Sequence, residues 1–243
     1  MIKSNKRSES VSRNKLRISM AFENYLQSIL QIEEAAIPVT PTKLSHWLKR
    51  LPEGEGLGTS LPSVGGMLRR MAREGLLKTL PDKSVALTAK GRRNAEQMVR
   101  RHRLAECMVV DLLGLDMVRA HEEAHRLEHA ISEDLETKIN DRLGHPTTCP
   151  FGHPIPGNGY VSMPNLVRLS EVVTDQEKVI DRVPEDDRVL LEYFVANNII
   201  PGTLVRVIEV APYRGIIRLG CNGNEIVVGY EVADLVWVRD ESR

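Results

Sequence analysis

Nothing in the chain resembles a run of about 18 or more uncharged apolar residues, and its first 17 residues lack the apolar stretch of a signal peptide. A membrane span and a secretory leader are therefore not expected, and the reading is a soluble, cytoplasmic protein with no membrane partner. Cysteine is scarce: Cys107, Cys149 and Cys221 are too few and too scattered for a disulfide framework. Their odd number fits a reducing compartment. Net charge is absent as well, with 33 basic and 33 acidic side chains, but the balance hides a division. Residues 1–100 hold 18 Lys and Arg against 9 Asp and Glu, and the remainder holds 15 against 24, so the front is +9 and the back −9. That asymmetry points to a polyanion-binding front joined to a part that can hold cations or basic partners.

The 243 residues, 42% of them apolar, suffice for a sizeable core and read as more than one unit. Residues 1–17 form a basic arm with almost no large apolar groups, expected to be disordered alone. From Ser19 the residues Phe22, Tyr25, Leu26, Ile29, Leu30 and Ile32 recur at helical spacing. Thr40-Pro41 reads as the N-cap and first residue of a second helix with Leu44, Trp47 and Leu48 inward. Residues 51–58 are a turn-rich connection whose glycines do not match a phosphate-binding loop. A third helix is expected from Ser60 or Pro62 to Glu74, with Val64, Met67, Leu68 and Met71 apolar and Arg69, Arg70 and Arg73 exposed, and Gly75 ends it. Two extended runs flank Pro81-Asp82-Lys83, a hairpin signal. Helix, helix, helix and basic-tipped hairpin is the order of a winged helix-turn-helix, assigned to residues 18–88.

Three further helices, from Thr88, Asp116 and Ser132, make a helical unit over residues 89–145. Residues 146–163 are so rich in Pro and Gly that they read as a linker. Beyond it, over 164–243, short Val/Ile/Leu runs separated by Gly and Asn turns suggest a small SH3-like β-barrel: Leu166 to Val173, Leu204 to Val210, Ile216 to Leu219, Glu225 to Val228 and Leu235 to Val238. The fold class expected is mainly α with a small β domain.

The segment most informative about chemistry is His121-Glu122-Glu123-Ala124-His125-Arg126-Leu127-Glu128-His129. His121, His125, Glu128 and His129 fall within roughly 100° of arc on one helical face, and three imidazoles with a carboxylate can bind a divalent cation. His102 and Glu106, one turn apart on the preceding helix, can face the same cluster. His121-Glu122-x-x-His125 also satisfies a zinc-peptidase pattern, and His125-x-x-Glu128-His129 satisfies its inverse. The two are mutually exclusive, and no Gly-x-x-His extension follows. A zinc metallopeptidase and a metal-storage or interaction protein are the alternatives to a metal-dependent DNA-binding protein. Cys149 and His153 sit in the Pro/Gly segment, which reads better as a rigid connection than as a source of ligands.

These residues together resemble the diphtheria-toxin-repressor family of iron- and manganese-dependent regulators. The likeness is carried by Tyr25-Leu26-x-x-Ile29, Ser60-x-Pro62-Ser63-Val64, Glu74-Gly75-Leu76, Leu87-Thr88-x-x-Gly91, Arg101-His102-Arg103-Leu104-Ala105-Glu106, the histidine-rich segment, and Pro150-Phe151-Gly152-His153-Pro154-Ile155-Pro156-Gly157. The resemblance implies a homodimer, no enzymatic activity, double-stranded operator DNA as partner, and two sites per subunit for manganese(II) or iron(II), with zinc(II) as a surrogate. By position, the ancillary site is His102, Glu106 and His121, completed by an acidic residue near Asp187; the primary site is Asn24, His125, Glu128 and His129. The chain departs from the family in carrying His125 where the iron regulators have Cys and some manganese regulators Glu, and Asn24 where they have Met or Asp. On the DNA side the resemblance implicates Ser60, Pro62 and Ser63 in the groove, while Lys43, Arg70, Arg73 and Lys83 suit phosphates. Gly66 replaces a longer polar side chain, so base readout is expected to be thin.

Overall fold

The structure, a computed structural model, describes residues 19–51 and 57–241. The basic arm over 1–17 and the middle of the turn before Ser60 lie outside the described residues.

Helix α1 (Met20–Glu34) buries its apolar stripe, Phe22, Tyr25, Leu26, Ile29, Leu30 and Ile32. Helix α2 (Pro41–Leu48) begins at Thr40, whose hydroxyl accepts from Lys43 N at 3.3 Å. Ser60 does the same for α3 (Leu61–Arg73), accepting from Ser63 N, and such caps each contribute about 1 kcal/mol. Strands β1 (Leu77–Thr79) and β2 (Val85–Leu87) pair with Leu77 opposite Leu87. At the tip Asp82 accepts from Ser84 N and Oγ, and Lys83 takes a left-handed φ of 65°. Val85 N donates to Val39 O, which fastens the hairpin beside α2. The three helices and wing close on one core that includes Leu44, Val64, Met71 and Leu76.

Helix α4 (Ala89–Cys107) links two cores. Ala95 and Val99 pack with the winged unit, whereas Leu104, Ala105 and Cys107 belong to a second cluster. A π-helical turn (Met108–Leu112) extends it; α5 (Met117–Glu128) and α6 (Glu133–Arg142) follow, capped by Asp116 and Ser132.

The Pro/Gly segment differs from the expected linker. Cys149, Phe151 and Ile155 are buried in the second core. Val183 N donates to Phe151 O, Arg103 Nη1 to Pro154 O, and Arg100 Nη1 to Pro156 O. At Gly152, with φ 87°, a Cβ would lie 1.8 Å from Asp181 O, so glycine there permits two backbones to touch. The prolines and glycines shape a packed clasp rather than a spacer.

The C-terminal domain is a six-stranded antiparallel sheet ordered β3-β8-β4-β5-β6-β7. Its strands are β3 (Val167–Arg168), β4 (Glu177–Arg182), β5 (Leu204–Ala211), β6 (Ile216–Cys221), β7 (Asn224–Gly229) and β8 (Trp237–Arg239); α7 (Arg188–Ala196) and the short α8 (Tyr230–Ala233) cover it. Five of the strands fall where the apolar runs predict them. Strand β4 and helix α7 were not expected. The domain docks on the winged unit: Gln31 Nε2 donates to Glu185 at 3.3 Å, Arg50 pairs with Asp186 at 2.7 Å, and Arg168 Nη2 donates to Ala35 O.

Candidate metal centre

Helices α4 and α5 pack side by side, and their facing turns carry the imidazoles and carboxylates singled out in the sequence. His102 and Glu106 are 0% exposed, Glu128 0%, His125 2% and His121 7%. His102 is the hub. Its Nε2 lies 2.9 Å from Glu106 Oε1 and 3.1 Å from His121 Nδ1, and its Nδ1 lies 2.7 Å from Glu128 Oε2. His121 Nδ1 is 3.1 Å from the same Glu106 oxygen. Burial disfavours a charged His102, but Glu106 and Glu128 on either side outweigh it and hold the imidazole well above its usual pKa. His125 moves the other way, pushed down to about 4 by burial and then by the charge of His102. Glu106 and Glu128 pay for burial too, yet the imidazoles against them keep both carboxyls well below the usual range.

The donor set suits a divalent cation. One ligand atom from each of His102, Glu106, His121 and Glu185 lies within 4.8 Å of the others. Glu106 Oε2 and His125 Nε2 are buried without a hydrogen-bond partner, an arrangement that is costly unless another ligand-seeking group satisfies it.

The carboxylate from the C-terminal domain is Glu185, not Asp187. Asp187 is the N-cap of α7, its Oδ1 accepting from Leu190 N at 3.0 Å. At the other end of the cluster, His125 Nδ1 is 3.1 Å and His129 Nε2 3.5 Å from Glu128 Oε1. Asn24 is buried on α1, and its neighbour Glu23 reaches this end of the cluster, its Oε2 accepting from His129 Nδ1 at 2.8 Å. Glu23, Gln31 and Glu185 were all missed from sequence; of these, only Glu185 had a nearby signal, the acidic run beside Asp187.

Lys43, Ser60, Pro62, Ser63, Arg70, Arg73 and Lys83 are all exposed. A groove between α3 and the wing is lined by Gly65, Arg69, Arg73, Thr79 and Lys83. Arg70 stacks over the Phe22 ring at 4.9 Å. Ser60 Oγ and Ser63 Oγ lie 2.9 Å apart, so part of their hydrogen-bonding capacity serves the helix start.

A winged helix-turn-helix backed by a buried His/Glu cluster, with a β domain contributing one carboxylate, defines a metal-responsive regulator by architecture. Residues 88–157 match the model of the iron-dependent repressor metal-binding and dimerisation domain, and residues 167–240 that of the FeoA domain. The iron-dependent repressor IdeR of Mycobacterium leprae is 34% identical over 229 residues, 89% of this chain and 95% of that protein. The diphtheria toxin repressor of Corynebacterium diphtheriae is 36% identical over 65% of each chain. A solved manganese-dependent transcriptional repressor in complex with manganese superposes with a TM-score of 0.78 at 31% identity, covering 90% of this chain and all of that one.

The chain belongs to the diphtheria-toxin-repressor family of metal-dependent repressors. Its relatives are transcriptional repressors, not enzymes, which overturns the peptidase alternative. In the motif itself His125 is 2% exposed, and Glu122 faces Arg126 and Arg188 at 4.0 and 3.8 Å. Among the described residues no helix is long and apolar enough to cross a membrane.

Proposed function

We propose that the chain is a cytoplasmic repressor of metal-homeostasis genes that binds a palindromic operator as a homodimer when manganese(II) or iron(II) occupies two sites per subunit. The ancillary site comprises His102, Glu106, His121 and Glu185; the primary site comprises His125, Glu128 and His129, with Asn24 adjacent on α1. The carrying observation is position: the buried ligand cluster lies where α4 and α5 meet both α1 of the winged unit and the Glu185 loop of the C-terminal domain. A cation held there would supply positive charge to several carboxylates at once and favour the arrangement in which all three units are docked. DNA then selects that arrangement. Carboxylates and imidazoles without thiolate suit manganese(II) and iron(II), and imidazole admits zinc(II).

Exposed Leu112 and Leu113 at the end of the long helix and Leu135 on α6 fall in the segment matched by the dimerisation model. They support a dimer contact there. Lys43, Arg70, Arg73 and Lys83 would meet phosphates and Ser60, Pro62 and Ser63 the groove, with the wing beside them.

The test is a mobility shift on the promoter region of this gene and of neighbouring metal-transport genes, in chelator and in manganese(II) or iron(II). Metal is expected to raise affinity by about 5- to 150-fold, the ordinary range of allosteric coupling. Equal affinity in chelator and metal overturns the repressor reading.

A further inference from the structure

The turn of α3 that follows Ser60, Pro62 and Ser63 carries Gly65 and Gly66, and so has no side chain of its own to offer a base edge. One turn further on stands Arg69. Val64 and Leu68 are buried, and at about 100° per residue Arg69 projects about 140° and 100° away from them, within about 40° of Pro62 and Arg73 on the outward face. Its guanidinium lies back along the helix toward the start: a Cβ on Gly65 would be 3.4 Å from Arg69 Nη1, and one on Gly66 3.9 Å from Nη2. Those are ordinary contact distances, so a methyl group fits. Any longer side chain at either position would take the strip that the guanidinium covers.

Arg69 is exposed and makes no ion pair or hydrogen bond among the described residues. Its neighbours are engaged: Arg70 lies over the Phe22 ring, and Ser63 Oγ is 2.9 Å from Ser60 Oγ. The groove between α3 and the wing holds Arg69, Arg73 and Lys83 and no carboxylate.

We propose that Arg69 is the base-reading side chain of α3, reaching over Gly65 and Gly66 to O6 and N7 of a guanine in each operator half-site. The proposal rests on the repressor reading for its ligand, double-stranded DNA, and adds to it one residue and one base. Arg69 is not among the residues that the resemblance assigns to DNA.

A guanidinium presents its donors as a planar fork, and guanine alone offers two adjacent acceptors on its major-groove edge. Lysine supplies the charge without the fork. Helical side chains point back toward the N-terminus, and the N-terminal residues of a recognition helix are the ones that meet base edges. Two residues without side chains give an arginine one turn behind a clear path to that end. Arg73, a further turn away, lacks that reach. The path also accounts for two adjacent glycines inside a helix, where glycine is less stable than alanine.

The test is selection of bound duplexes from a randomised pool by the full chain in manganese(II), repeated with Arg69→Lys, Arg69→Ala and Arg73→Ala. The wild type should enrich a palindrome with one strongly preferred guanine per half-site. Both Arg69 variants should lose that preference alone, keep the rest of the motif, and bind the wild-type motif about 5- to 150-fold more weakly for each half-site. Replacing the guanine by 7-deazaguanine, which lacks the N7 acceptor, should weaken the wild type and leave Arg69→Ala unaffected. Arg73→Ala, losing a phosphate contact, should weaken all sequences alike. Uniform weakening with a shallower salt dependence in Arg69→Ala would make Arg69 a phosphate contact and overturn the proposal, as would an unchanged motif in Arg69→Lys. Either result leaves the repressor reading standing. A wild-type chain that enriches no sequence in manganese(II) would sink the repressor reading and this proposal with it.

Discussion

His102 sets the proton balance of the centre. Burial alone would discharge it, but Glu106 at 2.9 Å and Glu128 at 2.7 Å raise its pKa well above the ordinary value. The two carboxylates therefore favour the protonated imidazole, and a cation that takes the nitrogen must displace that proton. His125, pushed down to about 4, is neutral already and releases none. Metal uptake should accordingly release protons, and affinity should fall as pH is lowered. Calorimetry in buffers of different ionisation enthalpy reads this directly; identical heats would contradict it. A second test concerns the acidic run. Glu185→Ala should weaken metal binding, whereas Asp187→Ala should leave it intact and cost about 1 kcal/mol as a lost helix cap, measured by denaturant unfolding.

At the scale of elements, the helices were legible because their apolar residues repeat at 3.6 and their starts carry Thr40, Ser60, Thr88, Asp116 and Ser132 as caps. Strand β4 was not, since only Val179 and Ile180 of its six residues are buried. Helix α7, Arg-Val-Leu-Leu-Glu-Tyr-Phe-Val-Ala, mixes β-branched and aromatic residues that blur its period. Missing α7 had a direct cost in chemistry: without the helix, Asp187 has no visible task and looks available as a ligand. Glu185, Asp186 and Asp187 end on the metal cluster, Arg50 and a helix cap respectively, and no local rule orders those three fates. Helix α3 yields a separate prediction. Gly66 sits mid-helix with nothing nearer to an added Cβ than Arg69 Nη2 at 3.9 Å. Gly66→Ala should therefore stabilise the protein by about 0.5–1 kcal/mol, visible as a higher denaturation midpoint with metal affinity unchanged. A lower midpoint would mean that the space is used.

For the whole molecule, the question is how a cation buried between α4 and α5 reaches the DNA face. The Gln31–Glu185 and Arg50–Asp186 contacts join the winged unit to the C-terminal domain, but Arg50 is 40% exposed and such a pair contributes about 0–1 kcal/mol. Glu23 offers a more direct tie. It lies on α1, and its carboxylate holds His129 Nδ1 at 2.8 Å, leaving Nε2 on the side of Glu128. A carboxylate that fixes the ring and tautomer of a ligating histidine strengthens metal binding and transmits its position. The resemblance places Asn24, one residue along, among the ligands themselves; the part played by Glu23 was not legible, because side-chain reach across two helices is not written in spacing. Glu23→Ala should lower manganese affinity at the His129 end by about 10- to 100-fold and reduce the DNA response even at saturating metal. Glu23→Gln keeps an acceptor for Nδ1 and should retain part of both. Asn24→Asp, which adds a carboxylate beside the same site, should tighten manganese(II) instead. Metal titration by calorimetry and DNA titration by anisotropy on the same Glu23→Ala sample separate affinity from coupling. If saturating manganese restores wild-type DNA affinity, Glu23 only positions the ligand, and the coupling passes through the Glu185 contacts of the C-terminal domain.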